Sequence, residues 1–521
     1  MARKVILMGL DGATFDIIQP LIKKGKLPNL QKLISKGSSR VLKSCIPPNT
    51  DPAWPVCFTG MNPGNLGFLF YMQDIGDDYY RKRLWRNPIE EDLFTVASQN
   101  GKKVVALNIP VSFPPKEVNG VYVTGLLTPP NSAFTFPRSV QGELGDDYRI
   151  SIPDFKFLSD DEKVENLKKE INAKFGLALE FYKKHKPELF TFVTMETDLV
   201  HHFFWRYMDQ NHPLYEASKH GNVINEVYEL IDEKLGQFLS AMDEDTIFIV
   251  MSDHGAKGSS LDFNINRYLI NHGLMKLKVG SKKKAFKLAY TLLGLKNKTA
   301  RSIAKKVFLG KRGNAKKISQ EIQLGFRDID WADTKAFGLG SYGLFINLQG
   351  REDEGVVSNE TYEKVRAALI NELRQITHEG KKVINEIYKK EDIYHGRYMD
   401  KLPDIVFIAD YNFFVRDFFT EEEFSVSDFC AAHHPEGIFI AYGKDIVKNE
   451  LSSANLIDVM PTILHTLGCK IPRWCEGNVL KDIFRKGSPL HNQQTILISE
   501  KEQRDEDEKR KIGEILKGIK I

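Results

Sequence analysis

Apolar residues recur along the chain in two rhythms. Short apolar runs occur at Val5–Gly9, Val104–Asn108, Phe190–Thr194, Ile247–Met251, Ile405–Ile408 and Gly437–Tyr442. Such runs predict strands buried on both faces. Longer amphipathic stretches between them predict helices at Leu27–Lys36, Asp161–Lys184, Pro213–Met242, Asn359–Thr377 and Ala454–Gly468. Strands alternating with helices imply an α/β fold, a mainly parallel central sheet with helices on both faces. Ligands of such sheets bind at the carboxyl ends of the strands. No internal repeat interrupts the pattern.

Two regions break the alternation. Residues Lys276–Lys317 carry fifteen Lys or Arg and no Asp or Glu, interleaved with apolar residues such as Phe286, Leu292 and Phe308. This predicts an inserted basic helical cap over residues 270–330, within a catalytic domain of residues 1–497. Residues 498–521 turn charged and then amphipathic (Ile512, Ile515, Leu516, Ile519), which predicts a C-terminal helix.

Composition narrows the class. Of the 521 residues, 42% are hydrophobic and 27% charged, as in ordinary globular proteins. The net charge of +4 is small for this length and argues neither for nor against a nucleic-acid partner, so no specific nucleic-acid binding is predicted. No apolar stretch approaches the roughly 18–20 residues that span a bilayer. The run after Met1 is too short for a secretion signal. Five cysteines (Cys45, Cys57, Cys430, Cys469, Cys475), none in Cys-x-x-Cys spacing, suit reduced thiols. The expectation is a cytoplasmic protein.

Five short segments carry candidate chemistry. Asp11, in Gly9-Leu10-Asp11-Gly12, directly follows the first strand, and the segment lacks the spacing of a dinucleotide fingerprint. Asp253 and His254 follow the strand at Ile247–Met251 and can offer oxygen and nitrogen to one metal. Asp198 and His202 lie four apart, on one face of a helix, with His201 as the competing ligand. His433 and His434 precede the strand at Gly437–Tyr442, and one of them could be a ligand. Thr50, two residues before Pro52, reads as a helix N-cap. That position also suits a nucleophile, because helix N-termini bind phosphate oxygens and a metal can stabilise an alkoxide. Together these residues offer what two-metal phosphoryl transfer requires.

In this order the segments resemble the alkaline phosphatase superfamily, and within it the type I phosphodiesterase/nucleotide pyrophosphatase branch. The resemblance runs through GLDGATFD, NTDPAWPVCFTGMNPG, TDLVHHFFW, SDHG, FINLQGREDEGVV, HHPEGIFIAYG and LIDVMPTILHTLG. It implies two divalent metal ions, zinc or else manganese or iron. Asp11, Thr50, Asp253 and His254 would hold one; Asp198, His202 and His433 would hold the other. His433 is preferred to His434 because the family places its histidine two positions before Pro-Glu-Gly. The implied activity is hydrolysis of a phosphorylated small molecule through a phosphothreonine on Thr50.

Two positions depart from the branch. Ala53 stands where nucleotide pyrophosphatases usually carry an Asn that touches a phosphate oxygen, and Leu66-Gly67 replaces a His-Gly pair. Sulfatases share the fold but need Cys-x-Pro-x-Arg, whereas Cys45-Ile46-Pro47-Pro48 ends in Asn49. A phosphomutase would need a Ser nucleophile and its own large insertion. A non-catalytic metal- or anion-binding protein is the remaining alternative. The basic segment 276–317 could be a solvated cap, a lid steering phosphorylated substrates, or a peripheral contact for anionic lipid.

Overall fold

The computed structural model describes residues 3–67, 91–145, 148–278, 325–450 and 452–499. Most of the expected basic cap (279–324) and of the C-terminal helix (500–521) lies outside the described residues.

Among the described residues ten strands form the central sheet: β1 (Lys4–Leu10), β2 (Ser38–Lys43), β3 (Val104–Ile109), β4 (Gly120–Thr124), β5 (Thr135–Phe136), β6 (Leu189–Thr194), β7 (Thr246–Met251), β8 (Glu436–Tyr442), β9 (Asn449–Glu450) and β10 (Ala454–Asn455). Their order is β9-β2-β8-β7-β1-β6-β3-β4-β5, with β10 also pairing β2. Strands β7, β1, β6, β3 and β4 are mutually parallel. Side chains of β1 alternate between the two faces, as strand geometry requires. Ile6 and Met8 enter one core; Val5 and Leu7 enter the other. Both faces are therefore apolar, which is why these strands read as continuous apolar runs.

Helices cover each face. Helices α1 (Phe15–Lys23), α2 (Pro28–Lys36), α5 (Asp160–His185), α6 (Glu196–Met208) and α7 (Val223–Ala241) pack on the first. Helices α3 (Thr50–Thr59), α4 (Leu93–Gln99) and α9 (Val459–Leu467) pack on the second. Helix α7 starts ten residues later than the pattern over Pro213–Met242 suggested, because the polar stretch ahead of it forms turns closed by Ser218 and His220 carbonyls. The stretch expected as one helix from Ala454 is divided. Asp458 accepts from the Asn455 and Asn478 N–H groups and so ends a 3-10 turn before α9 begins.

Strands β5 and β8 break the parallel rule, and the second does so in a way that matters for the site. β8 runs antiparallel to both β7 and β2. Its start, unlike that of its neighbours, lies at the edge where β1, β6 and β7 end. β2 runs the same way as β7, so the segment after it reaches this edge too.

The apolar strand at Ile405 belongs elsewhere. It joins Ala336–Gly338, Gly343–Ile346 and Ile384–Lys389 in a separate antiparallel sheet. Helix α8 (Asn359–Gln375) covers that sheet around Phe337, Phe345, Leu369 and Phe407. The two flanks of the basic segment are hydrogen-bonded to each other, Lys278 N–H to Asp328 at 2.7 Å and Asp330 N–H to Lys276 at 2.8 Å.

A buried ion pair fixes the start of α6. Lys174 donates to Glu196 at 2.8 Å, and both side chains are inaccessible to solvent. Burial opposes ionisation of Glu196, but Lys174 and the Thr194 hydroxyl outweigh it and hold the carboxyl below its ordinary range. Removing one member of such a pair strands the other charge. Lys174→Met is expected to lower the unfolding free energy by about 3–5 kcal/mol. Urea titration checks this, and an unchanged midpoint would contradict it.

Candidate active site

The five segments meet at the edge just described. Asp11 follows β1 directly, and Asp253 and His254 follow β7. Asp198 and His202 stand on the first two turns of α6, which begins after β6. His433 lies on the short strand Ala431–His434, paired with Gly255–Gly258 and leading into β8. Thr50 opens α3. It is the first helical residue, and the N-cap position falls to Asn49 instead of Thr50. The Thr50 hydroxyl is thus released from capping and points into the site.

Two groups of ligand atoms result. In each of Asp11/Asp253/His254 and Asp198/His202/His433, one ligand atom per residue lies within 4.8 Å of the others. The groups touch, since the His254 and His433 rings stack with centroids 4.0 Å apart. Thr50 Oγ1 lies 3.1 Å from His254 Nε2 and 3.5 Å from Asp11 Oδ1. His202 Nε2 is 3.2 Å from both Asp198 Oδ2 and His433 Nε2.

The imidazoles are oriented from behind. His202 Nδ1–H donates to the Ala431 carbonyl at 2.8 Å, and His254 Nδ1–H to the Gly255 carbonyl at 2.9 Å. When neutral, each ring therefore turns the lone pair of Nε2 toward the site, the tautomer that binds metal. Asp11 Oδ2 accepts from Trp54 Nε1 at 2.7 Å. Trp54 is four residues beyond Thr50, so one helix face supplies both. The indole leaves no space above Gly9: a Cβ there would lie 2.5 Å from Trp54. Asp253 accepts from the Gly12 N–H at 3.3 Å, and Thr197 donates to the Asp11 carbonyl at 2.5 Å.

The alternatives to the histidines have other partners. His201 faces the core, where its Nε2 meets the Tyr228 hydroxyl at 3.1 Å, and burial pushes its pKa down to about 3. His434 accepts from the Glu436 N–H and packs against Tyr411. Neither belongs to a ligand group.

Charge is unbalanced here. Burial, with Asp253 and Asp198 nearby, pushes the Asp11 carboxyl well up. Burial, then Asp198, does the same to Asp253 despite the Gly12 N–H. At Asp198 burial is overcome by His202, and the carboxyl is held low. His202 is raised, since Asp198 outweighs its burial, whereas burial and His254 drive His433 well down. Asp198 Oδ1 and Asp253 Oδ2 are buried without a hydrogen-bond partner. Unpaired buried carboxylate oxygens with inward imidazole lone pairs fit divalent cations.

A sequence profile of the type I phosphodiesterase/nucleotide pyrophosphatase family matches residues 5–434. The chain belongs to that family. It is a phosphodiesterase-like phosphoric ester hydrolase. No curated protein sequence gives a significant match. Among solved structures, murine ectonucleotide pyrophosphatase/phosphodiesterase 5 aligns over 93% of this chain and 100% of its own, with 16% identity and a TM-score of 0.49. An inactive variant of that protein in complex with AMP gives 15% identity, the same coverage and the same TM-score. Within the family framework, Ala53 is fully buried in the core beneath α3 and offers no polar group to the site. Among the described residues no helix is long and apolar enough to cross a membrane.

The acid imbalance has a pH signature in metal-free protein. Folded-state values above the unfolded carboxyl range mean that Asp11 and Asp253 bind protons more tightly when folded. Their contribution is lost as pH rises above about 4. Asp198 acts oppositely, and its contribution is lost as pH falls below that range. Asp253→Asn is therefore expected to stabilise chelator-treated protein at pH 7, on the order of 1–2 kcal/mol. The gain should shrink as pH is lowered toward about 4. Thermal unfolding across pH checks this; a less stable variant would contradict it.

Proposed function

We propose that the protein hydrolyses phosphodiester or pyrophosphate bonds through a covalent intermediate on Thr50, with two divalent cations, zinc in the first instance. The position of Thr50 Oγ1, 3.1 Å from His254 and 3.5 Å from Asp11 at the first turn of α3, carries this reading. Asp11, Thr50, Asp253 and His254 would hold one ion and Asp198, His202 and His433 the other; manganese or iron would satisfy the same donors. Bound there, the cations would neutralise charge developing on the phosphoryl oxygens and lower the pKa of hydroxyl and water.

The protein's own groups set the geometry. Thr50 Oγ1 attacks phosphorus, its proton passing to solvent. The bond from phosphorus to the departing oxygen breaks, and that oxygen keeps the electron pair. Water then attacks the phosphothreonine, the Thr50 oxygen leaves, and a proton restores the hydroxyl. The N-terminal turn of α3 places partial positive charge beside the phosphoryl oxygens in both steps. Trp54 keeps Asp11 turned toward Thr50, and the Ala431 and Gly255 carbonyls keep His202 and His254 in the required tautomers.

The setting we propose is cytoplasmic. All five cysteines are free, which supports a reducing compartment. A role for segment 276–317 as lid or lipid contact rests on its charge alone. Its substrate is a phosphorylated small molecule, with no part for nucleic acid.

Zinc-supplemented protein is expected to cleave bis(4-nitrophenyl) phosphate faster than 4-nitrophenyl phosphate or 4-nitrophenyl sulfate. Thr50→Ala should lower the diesterase rate by about a thousandfold or more. Full activity in that variant would remove the nucleophile. Faster sulfate cleavage, with formylglycine at Cys45 by mass spectrometry, would replace the reading with a sulfatase.

A further inference from the structure

One segment of the resemblance, FINLQGREDEGVV, supplies no member of the ligand groups. Its Arg351 holds Asp404 through two bonds of 2.6 Å. Asp404 also accepts from Lys390 at 3.2 Å and from the Tyr362 hydroxyl at 2.8 Å. It is fully buried, which strengthens these charge-assisted bonds. Arg366 holds Glu391 at 2.8 Å. Lys390 and Glu391 open the short helix Lys390–Ile393. The connection between strands Ile384–Lys389 and Ile405–Ala409 is thereby mounted on the separate antiparallel sheet.

That connection grips the chain on both sides of α3. Before α3, the Tyr394 hydroxyl donates to the Ile46 carbonyl at 2.5 Å. The Ile46 side chain packs with Tyr394, Leu402 and Val406, and among the described residues it is the one member of that small cluster from outside residues 393–406. After α3, the Tyr398 N–H donates to the Gly64 carbonyl at 3.0 Å. His395 Nε2 lies 3.0 Å from Glu476, which also accepts from Asn62 at 2.9 Å and Asn65 at 2.8 Å. A Cβ at Gly64 would lie 2.2 Å from the His395 carbonyl, so this close approach requires glycine.

Little slack separates the grip from Thr50. Pro47 and Pro48 each fix φ near about −65°. The Asn49 N–H closes a turn onto the Pro47 carbonyl at 2.9 Å. Thr50 follows at once, with Oγ1 3.1 Å from His254 Nε2. A shift at Ile46 is therefore passed to the hydroxyl. We infer that Tyr394 is a positioning residue: through it and Ile46, the antiparallel sheet sets the line along which Thr50 approaches phosphorus. The inference rests on the reading of Thr50 as nucleophile given above. Tyr394 belongs to neither ligand group, so its loss should spare metal and substrate binding and slow the attack.

Tyr394→Phe keeps the ring in its cluster and removes only the hydroxyl. With bis(4-nitrophenyl) phosphate, kcat per zinc-loaded molecule is expected to fall about tenfold while KM changes less than about twofold. His395→Ala, at a side chain 73% exposed, should lower kcat in the same direction. A purely structural role would lower the unfolding midpoint and leave kcat per zinc-loaded molecule unaltered. Hydrogen exchange gives a readout independent of turnover. Amides of residues 46–58 should exchange about tenfold faster in Tyr394→Phe than in wild type. If wild-type protein cleaves no ester, the hydrolase reading fails, while that faster exchange still supports the grip on the segment. Unaltered kcat in both variants, a loss confined to KM, or unaltered exchange in Tyr394→Phe overturns the inference.

Discussion

Like charges held together out of water shape this protein more than any other contact. Asp11, Asp198 and Asp253 converge behind Thr50, and among the described residues their ion-pairing partners are imidazoles, not lysines or arginines. Two of their oxygens have no hydrogen-bond partner. Burial alone would drive these carboxylates to take up protons. Cations bound between them would reverse that preference. The surrounding structure is organised to resist relaxation: Trp54 pins Asp11, backbone carbonyls pin His202 and His254, and the Lys174–Glu196 pair anchors the helix carrying Asp198.

The sheet solves the placement problem by reversing one strand. Functional groups in parallel sheets normally follow strands. His433 precedes one, so a parallel β8 would have carried it to the opposite edge. Because β8 runs antiparallel between β7 and β2, its beginning lies where its neighbours end. Strand β2 keeps the direction of β7 and delivers Thr50 to the same edge. The separate four-stranded antiparallel sheet brings Tyr342 beside His433, and the strand Phe413–Arg416, paired with Leu261–Asn264 in a smaller sheet, brings Phe414 there.

Much of this could be read from the sequence, for identifiable reasons. Buried parallel strands produce unbroken apolar runs, so β1, β3, β6 and β7 were visible within a residue or two at each end. Asp198 and His202 were legible because helical spacing places them on one face. Other features leave no local trace. Strand direction depends on the partner, so the apolar run at Ile405 gave no sign that it joins another sheet. The choice between His201 and His202 rested on motif resemblance, and it is the Tyr228 contact that accounts for His201. Nothing local marks Trp54, because its bond to Asp11 depends on a strand 43 residues away in sequence. The cap at Asn49 instead of Thr50 was misjudged because both residue types cap helices well.

The account stands or falls on cations neutralising the buried acids. Calorimetric titration of chelator-treated protein with Zn2+ measures this directly. Two equivalents should bind, with Asp198→Ala losing one and raising no new site. Absence of saturable binding, or binding unaffected by Asp198→Ala and Asp253→Ala alike, would contradict it.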